Sequence, residues 1–339
     1  MLKSIIKRNE FITFLTIVVL SAVIGIINPT FFSVSTLFNV LRASNVYAIM
    51  AFGLLLVVIL GGVDISFVAI SAVSSYSTHM LLLSLGYEGG ILLYFIIAGV
   101  IGIAAGLLSG FLIAQFDLPI FDLSLAMVTL WYGFDLFFIG ATANFDLPEG
   151  MVGYYGAHIL QVQDPVVGQT GLHISVLYVL VVGVLVWLLL RYTTIGRGIY
   201  AIGGNREVAI RSGYNVKAIT MIVFPILGLL ASIAGVTQGG YQRNFNPVLF
   251  IGQHLDVLAA VILGGAAITG GRGTVIGAYL GVILVQLINR ALILTGIPVE
   301  WQQFTVGVIL VVFTAVPAIR ARRRKRIGHT EESEKFQEI

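Results

Sequence analysis

The 339-residue sequence contains no cysteine and few charged residues. Without cysteine it can form no disulfide, no thiolate nucleophile and no zinc–thiolate site, and its redox compartment cannot be inferred. Only 10% of its residues are charged, against roughly 25% in soluble globular proteins, so a water-soluble domain is excluded. The hydrophobic share is 58%, enough for about ten spans of about 20 residues each. The composition therefore predicts a polytopic membrane protein.

Signatures of catalysis are missing as well. None of the five lysines follows a glycine, so there is no phosphate-binding P-loop and any use of ATP requires a partner. The five histidines show no metal-ligand spacing, and there is no GxSxG nucleophile turn. We therefore expect no metal, no cofactor and no enzymatic activity. Function should lie in how the helices pack and move, as in a channel, transporter or permease.

Ten apolar stretches predict an all-α fold, a single transmembrane bundle of about ten spans over residues 1–339. They lie at 11–27, 46–60, 63–84, 91–115, 121–140, 172–190, 218–238, 254–269, 274–294 and 300–319. With the N-terminus in the cytoplasm, ten crossings return the C-terminus there, and sixteen of the nineteen basic residues then lie inside. The exceptions are Arg42, Arg243 and Arg290. The positive-inside rule thus places both termini in the cytoplasm.

The basic tail, 320–339, is interpreted as an anchor against anionic headgroups of the bilayer rather than a nucleic-acid site. The pentapeptide VILGG occurs at 58–62 and again at 261–265, which suggests an internal repeat of the kind common in transporters. Glycines spaced by four residues predict helix faces that approach closely. They are Gly102, Gly106 and Gly110, and Gly273, Gly277 and Gly281.

Ionisable residues inside a membrane are costly and need a partner or a wet cavity. Asp64 follows two glycines and precedes an apolar run. It can cap the next helix, or it can contact a substrate.

The middle of the fifth span places Trp131, Asp135 and Phe138 on one predicted helical face. An aromatic ring beside a carboxylate can hold a sugar, because the ring covers C–H groups and the carboxylate accepts hydrogen bonds from hydroxyls. The alternative is a structural ion pair with an arginine such as Arg290 or Arg243.

Two predicted outer segments are polar. Residues 238–256, which include Asn246 and Asp256, form either the mouth of a substrate path or an ordinary loop. Residues 141–171 form either a docking surface or a connector.

The connection 191–217 is long enough to fold on the predicted cytoplasmic side. Asn205 can cap a short helix that begins near Arg206, Ala209 and Ile210 can form its apolar surface, and Gly213 can end it with a positive φ. A short helix between two spans is suited to docking a partner.

These residues resemble the membrane subunits of ATP-binding-cassette importers, in particular the ribose, arabinose and xylose permease family. That family carries AIGGN followed by a serine–glycine pair, GG[IV]D[LI]S, a leucine–aspartate pair, and LGG followed by GGRG. The matching residues are 201–205 with 212–213, 61–66, 255–256, and 263–265 with 270–273.

The resemblance implies a permease subunit of a bacterial cytoplasmic-membrane importer for a monosaccharide or similar small polar solute. Its partners would be an ABC ATPase, an extracytoplasmic solute-binding protein and a second permease subunit. It assigns coupling to the ATPase to Gly203, Gly204, Asn205, Glu207, Ala209, Arg211, Ser212 and Gly213. The candidate substrate path is Asp64, Trp131, Asp135, Asn246 and Asp256.

Three positions depart from the family pattern. Val68 replaces a glycine, Val208 replaces the first of two alanines, and Asp135 stands in a span where the family generally has small residues and an arginine. These departures put the usual substrate in doubt more than the machinery. The alternative function is a stand-alone secondary carrier or channel for a small polar solute, with Asp64 and Asp135 as ion-binding carboxylates.

Overall fold

The computed structural model describes residues 9–164, 168–248, 250–294 and isolated positions from 296 to 311. Within these ranges the chain forms a helical bundle with eight helices long and apolar enough to cross a membrane. Most of the predicted last span, 300–319, and the basic tail lie outside the described residues. The predicted helical polytopic fold is confirmed for the part described.

Twelve α-helices and one β-hairpin make up this part of the chain. The helices are α1 Asn9–Ile27, α2 Val34–Leu60, α3 Phe67–Ser84, α4 Ile91–Phe116, α5 Ile120–Phe134, α6 Glu149–Val152, α7 Ser175–Tyr192, α8 Thr194–Gly204, α9 Arg206–Arg211, α10 Val216–Gln242, α11 His254–Leu263 and α12 Val275–Leu294. A π-helical segment, Asp135–Ile139, continues α5 directly. Strands β1 (His158–Asp164) and β2 (Gly168–His173) pair antiparallel, with Val162 opposite Thr170.

Helix α2 is the centre of the bundle. Its 27 residues extend about 40 Å, and every residue from 48 to 60 is buried. It packs against α7, α8, α10, α11 and α12. It also begins twelve residues before the predicted span, at a cap in which the Ser33 side chain accepts a hydrogen bond from the Thr36 amide. Polar residues in its first turns interrupt the apolar run, so the hydropathy pattern did not predict that the helix begins this early.

The connections gather at two ends of the bundle. Segments 61–66, 117–119, 193–215 and 264–274 meet at what we call the junction end, where the Gly271 amide donates to the Ile59 carbonyl at 2.8 Å. Segments 85–90, 140–164, 168–173, 243–248 and 250–253 meet at the hairpin end, where Asn144 and Phe245 exchange backbone hydrogen bonds of 2.8 and 2.9 Å. This grouping is the one that the predicted alternation of spans requires.

The β-hairpin at the hairpin end was not predicted. The His173 Nε2–H donates to the Tyr154 carbonyl at 2.8 Å, and Nδ1 accepts from the Ser175 amide at 3.1 Å. Burial lowers the pKa of His173 to about 4, so the ring stays neutral near pH 7 and keeps this pair of hydrogen bonds. The neutral histidine thereby fixes the hairpin to the start of α7.

The predicted span 254–269 is wrong in its length. Helix α11 has ten residues, about 15 Å, which is half of a membrane. Next to its start, the Gln253 side chain accepts a hydrogen bond of 2.8 Å from the Tyr47 hydroxyl, in the middle of α2. The chain therefore reaches into the bundle at Gln253, before α11 begins. A count of apolar residues cannot distinguish this from a full span.

The two VILGG segments end helices α2 and α11 at the junction end. Glycines after these helices have positive φ, +103° at Gly61 and +94° at Gly265. The positive φ falls on the first glycine of one segment and on the second glycine of the other, where Gly264 has φ −68°. The two endings therefore differ in geometry, and the internal repeat stays a prediction.

Both predicted glycine series lie at close helix contacts. A β-carbon on Gly102 would overlap the Gly228 carbonyl of α10, and one on Gly106 would overlap that of Phe224. Gly277 and Gly281 of α12 meet the backbone of Gly264 and Ala260 in the same way. Gly273 precedes α12 and faces side chains of α2 instead. The predicted close approach is thus confirmed for two pairs of helices.

We expect Gly106→Ala to destabilise the subunit, because the new methyl group would force α4 and α10 apart, and overpacking typically costs about 1–3 kcal/mol. The matched control is Gly133→Ala in α5, where a β-carbon meets nothing within 4 Å. Thermal unfolding of the purified chain in detergent measures both. Equal melting temperatures for the two variants would show that the α4–α10 contact does not limit stability.

Candidate functional site

Three segments that are far apart in sequence meet at the junction end. They are the end of α2, the end of α8 and the turn between α11 and α12. A β-carbon on Gly203 would overlap the Ile59 carbonyl, and one on Gly270 would lie 2.7 Å from the Gly203 carbonyl and from the Gly61 α-carbon. We call Gly61, Gly203, Gly270 and Gly271, with the Ile59 carbonyl, the glycine junction. Three motifs noted in the sequence, at 61–66, 201–205 and 270–273, therefore contact one another in the fold.

Local backbone geometry explains these glycines. Gly61, Gly270 and Gly271 have φ values of +103°, +88° and +74°, where a side chain would cost roughly 1–2 kcal/mol. Gly203 has a helical backbone that any residue can adopt, so glycine is needed there only because a side chain would not fit against α2. The Tyr200 hydroxyl adds a tie, because it donates to the Gly273 carbonyl at 2.7 Å. The junction therefore fixes α8 to both α2 and the α11–α12 turn.

The short helix α9 follows the junction directly. Its predicted cap is present, because the Asn205 Oδ1 accepts from the amides of Glu207 and Val208 at 3.0 and 3.1 Å. Gly213 has φ +86°, and the amide of Tyr214 returns to the Ala209 carbonyl at 3.1 Å. The Ser212 hydroxyl donates to the Val208 carbonyl at 2.8 Å. Helix α9 is closed at both ends, and we call α9 with its caps, residues 205–213, the knob.

The outer face of the knob is mixed in character. Glu207 and Arg211 face each other at 3.9 Å with side chains 83% exposed. Val208 and Ile210 are more than half exposed, whereas Ala209 is buried. Of the two predicted apolar residues, Ala209 packs inward against the bundle, and Ile210 lies on the outer face beside Val208.

An ion pair that the sequence did not reveal ties the knob to the α4–α5 turn. The Arg206 guanidinium donates to both carboxylate oxygens of Asp117, at 2.5 and 3.1 Å. Hydrogen bonds from Arg206 hold the pKa of Asp117 below its usual value. The two residues border a cavity of about 300 Å³ between the end of α4, the start of α5 and the start of α10. The pair is partly exposed, so it is a weak and breakable contact.

Asp64 lies at the junction end and is fully buried. Its Oδ1 accepts from the Ser66 amide at 2.5 Å and from the Ser66 hydroxyl at 2.7 Å. Both donors lie two positions further along the chain, at the start of α3. This geometry favours the capping interpretation over a direct substrate contact.

Asp135 lies where α5 becomes π-helical and is fully buried against α3. Its Oδ1 accepts from the Ser77 hydroxyl at 3.3 Å. The other oxygen, the Tyr132 hydroxyl and the Trp131 Nε1 are buried and have no hydrogen-bond partner among the described residues. Asp135 forms no ion pair with Arg243 or Arg290 in the part of the chain described. One carboxylate oxygen and two neighbouring polar atoms are thus buried without a hydrogen-bond partner among the described residues.

Phe138 does not share the buried face of Trp131 and Asp135, contrary to the predicted spacing. It is 67% exposed, whereas Asp135 is 0% exposed. The wider π turn that starts at Asp135 breaks the helical period on which the prediction relied. Phe138 packs instead on Phe134, with ring centroids 5.1 Å apart.

The remaining predicted path residues lie elsewhere. The Asn246 Oδ1 accepts from the Val248 amide at 3.0 Å within the descending segment, and Asp256 lies in the first turn of α11. The five predicted path residues therefore occupy four places, and only Trp131 and Asp135 are neighbours.

Two of the three unexpected arginines meet at the hairpin end. The guanidinium carbons of Arg42 and Arg243 lie 4.5 and 4.1 Å from the centroid of the Tyr155 ring. Arg42 also lies 4.7 Å from the Tyr241 ring. Neither arginine forms an ion pair among the described residues. Aromatic rings thus hold two unneutralised cations at this end.

Comparison with known proteins covers nearly the whole chain. The family model described as "Branched-chain amino acid transport system / permease component" matches residues 36–314. The ribose import permease protein of Escherichia coli (strain K12) is 30% identical over 305 residues, 89% of this chain and 91% of its own. The galactose/methyl galactoside import permease protein of the same strain is 28% identical over 341 residues, 95% of this chain and all of its own.

A third relative imports a different small molecule. The autoinducer 2 import system permease protein of Enterobacter sp. (strain 638) is 30% identical over 313 residues, 91% of this chain and 86% of its own. No solved structure matches the chain significantly.

We expect Gly203→Ala to open the glycine junction, because its β-carbon would overlap the Ile59 carbonyl. Alanine is otherwise favoured over glycine in a helix, so any loss of stability in this variant is caused by the overlap. Hydrogen exchange should become faster at the Gly271 amide, which donates to that carbonyl.

The neighbouring Gly204→Ala is the control, since a β-carbon there meets nothing within 4 Å. The same slow exchange in both variants would mean that the three segments are held together by other contacts.

Proposed function

The chain belongs to the branched-chain amino acid transport system / permease component family, and from this membership we propose that it is the membrane subunit of an ABC importer for a monosaccharide or similar small polar solute. Its three reported relatives import ribose, galactose or methyl galactoside, and autoinducer 2. The single structural observation that supports the proposal best is the capped knob joined to the central helix through the glycine junction.

In the proposed mechanism the knob docks on a separate ATPase subunit. Closure of a pair of ATPase subunits on ATP moves the knob, and the glycine junction passes that movement to α2 and to the α11–α12 turn. Two conformations that bind solute differently then open the path to one side at a time. The chain supplies no covalent chemistry of its own. The coupling residues are those of the knob with Gly203 and Gly204.

The knob prediction tests the pumped importer against the carrier. Valine at Gly213 would strain a backbone with φ +86°, because a β-branched residue tolerates this conformation poorly. We expect Gly213→Val to leave the subunit in the membrane but to weaken ATPase docking and abolish substrate-stimulated ATP turnover. Glu207→Ala should do the same more mildly, because its carboxylate is exposed, makes only a long contact of 3.9 Å with Arg211, and can pair with a basic group of the ATPase.

The control for this experiment is Gly213→Asn, since asparagine tolerates the left-handed conformation. Copurification gives the stoichiometry, and reconstituted complexes give the turnover. Full stoichiometry and full stimulated turnover in Gly213→Val would remove the coupling role. Solute uptake by the chain alone, without any ATPase, would establish the secondary carrier instead.

The proposed contact with solute is the polar group around Asp135. The carboxylate is an acceptor, the Trp131 Nε1–H is a donor, and the Tyr132 hydroxyl is both. A neutral polyol satisfies all three, because each hydroxyl both donates and accepts. An ammonium group would leave the indole N–H unpaired, and an anion would be repelled by the carboxylate. Asp64 and Asn246 accept hydrogen bonds from nearby residues of their own loops. Asp256 is not among the buried side chains that lack a partner, so all three are weaker candidates.

We expect Asp135→Asn to lower uptake about tenfold while leaving assembly intact, because a charge-assisted hydrogen bond is lost. Asp122→Asn, an exposed position in the first turn of the same helix, is the matched control. Uptake of labelled sugars is compared with the yield of the assembled complex. Unchanged uptake would exclude Asp135 from the path, and a badly assembled subunit would instead indicate a structural role.

The hairpin end is the proposed outer surface, on which an extracytoplasmic binding protein docks. Arg42 and Arg243 are available there to pair with acidic side chains of that protein. This assignment puts the knob and both termini in the cytoplasm of a bacterium, in agreement with the distribution of basic residues. A second permease subunit, identical or homologous, completes the path in the proposed complex.

A further inference from the structure

A groove on the membrane face of the bundle runs between α7 and α12. It has a volume of about 360 Å³ and is lined mainly by apolar side chains, among them Val179, Val184, Trp187, Ile276 and Tyr279. Its floor forms because Gly183 has no side chain. A β-carbon at Gly183 would lie 3.2 Å from the Phe52 ring of α2.

The lining residues of the groove extend along α7, as an acyl chain lying parallel to that helix would require. From Val179 to Trp187 it follows two turns of α7, about 12 Å. Its lining offers almost no hydrogen-bonding groups to a sugar, so it is not part of the proposed solute path. It reaches the central helix at Phe52, whose ring centroid is 6.4 Å from that of Tyr279.

A cation lies at the junction end of this groove. The Arg191 guanidinium carbon is 5.4 Å from the centroid of the Trp187 ring and 5.7 Å from that of Tyr192. Arg191 is exposed and has no ion pair among the described residues. Arg272, also exposed, precedes the lining residue Val275 by three positions. An aromatic clasp around an unneutralised arginine is typical of the level of lipid headgroups.

We propose that this groove is a binding site for an anionic phospholipid of the leaflet at the junction end. One acyl chain lies in the groove against Phe52 and Tyr279, and the phosphate group pairs with Arg191. Charge decides between lipid classes, because a net negative headgroup gains from Arg191 what a zwitterionic one does not. An apolar helix from a second copy would fill the groove but would leave Arg191 without a partner.

The test uses the tryptophan that lines the groove. The chain has three tryptophans, so Trp131→Phe with Trp301→Phe leaves Trp187 as the only one. The full-length chain is placed in phosphatidylcholine nanodiscs that contain a minor fraction of either phosphatidylglycerol or phosphatidylcholine with brominated acyl chains, which quench indole fluorescence on contact. We expect brominated phosphatidylglycerol to quench Trp187 more strongly than brominated phosphatidylcholine at the same fraction.

Two pairs of variants separate the headgroup from the groove. Arg191→Gln should lower the relative affinity for phosphatidylglycerol about fivefold, whereas Arg197→Gln, exposed on α8, should not. Val184→Phe should fill the groove and reduce quenching by both lipids. Leu185→Phe, equally exposed but outside the groove, should have no such effect.

Equal quenching by the two lipids, or a preference that survives Arg191→Gln, would overturn the proposal. A contact between two copies at the groove itself would overturn it as well. Because the chain has no cysteine, a single cysteine at position 184 reports such a contact. An efficient disulfide between two such cysteines would assign the groove to a protein interface instead.

Discussion

The contact on which the rest of this structure depends is the meeting of backbones at the glycine junction. There the end of the central helix α2 touches α8 through Gly203, and the Ile59 carbonyl accepts its hydrogen bond from Gly271 of the α11–α12 turn. Backbone in contact with backbone has no flexible side chain that can absorb a displacement. Because α2 is enclosed by five other helices, a shift of its end is a shift of the whole packing around it.

The same use of glycine holds the bundle itself together. In a bilayer, burial of apolar surface gives helices little reason to associate, since lipid tails are as apolar as leucine, and close van der Waals packing must supply the attraction. Gly102 and Gly106 bring α4 onto α10, and Gly277 and Gly281 bring α12 onto α11. Helix α2, by contrast, is surrounded rather than paired. Gly235 of α10 meets the Ser71 carbonyl of α3 in the same way, so α10 makes close backbone contacts with both α4 and α3.

The sequence predicted those features that depend on near neighbours. The Asn205 cap and the positive φ at Gly213 follow from residues within one turn, and the glycine ladders follow from a fixed period. Features made by distant residues were not predictable. Arg206 and Asp117 are 89 positions apart, and the sequence around either residue does not indicate that the two form a pair. The short length of α11 and the π turn at Asp135 were not predicted, because a hydropathy pattern shows where residues are apolar but not how many of them are helical or how wide each helical turn is. Asp135 and Trp131 were predicted, but the Tyr132 hydroxyl beside them was not.

The two attachments of the knob differ in strength, and this difference decides how a load on α9 is transmitted. The Arg206–Asp117 pair has side chains 52% and 71% exposed, and ion pairs of this kind contribute between nothing and about 1 kcal/mol. Helix α8 cannot leave the glycine junction without losing both the packing of Gly203 on the Ile59 carbonyl and the hydrogen bond from the Tyr200 hydroxyl to the Gly273 carbonyl. A hydrogen bond alone contributes about 0.5–1.5 kcal/mol, and the packing adds to it. A force applied to the knob therefore separates Arg206 from Asp117 before it separates Gly203 from Ile59. The knob can therefore move away from the α4–α5 turn while it stays attached to α2. In such a movement α2 follows the knob, whereas α4 and α5 do not.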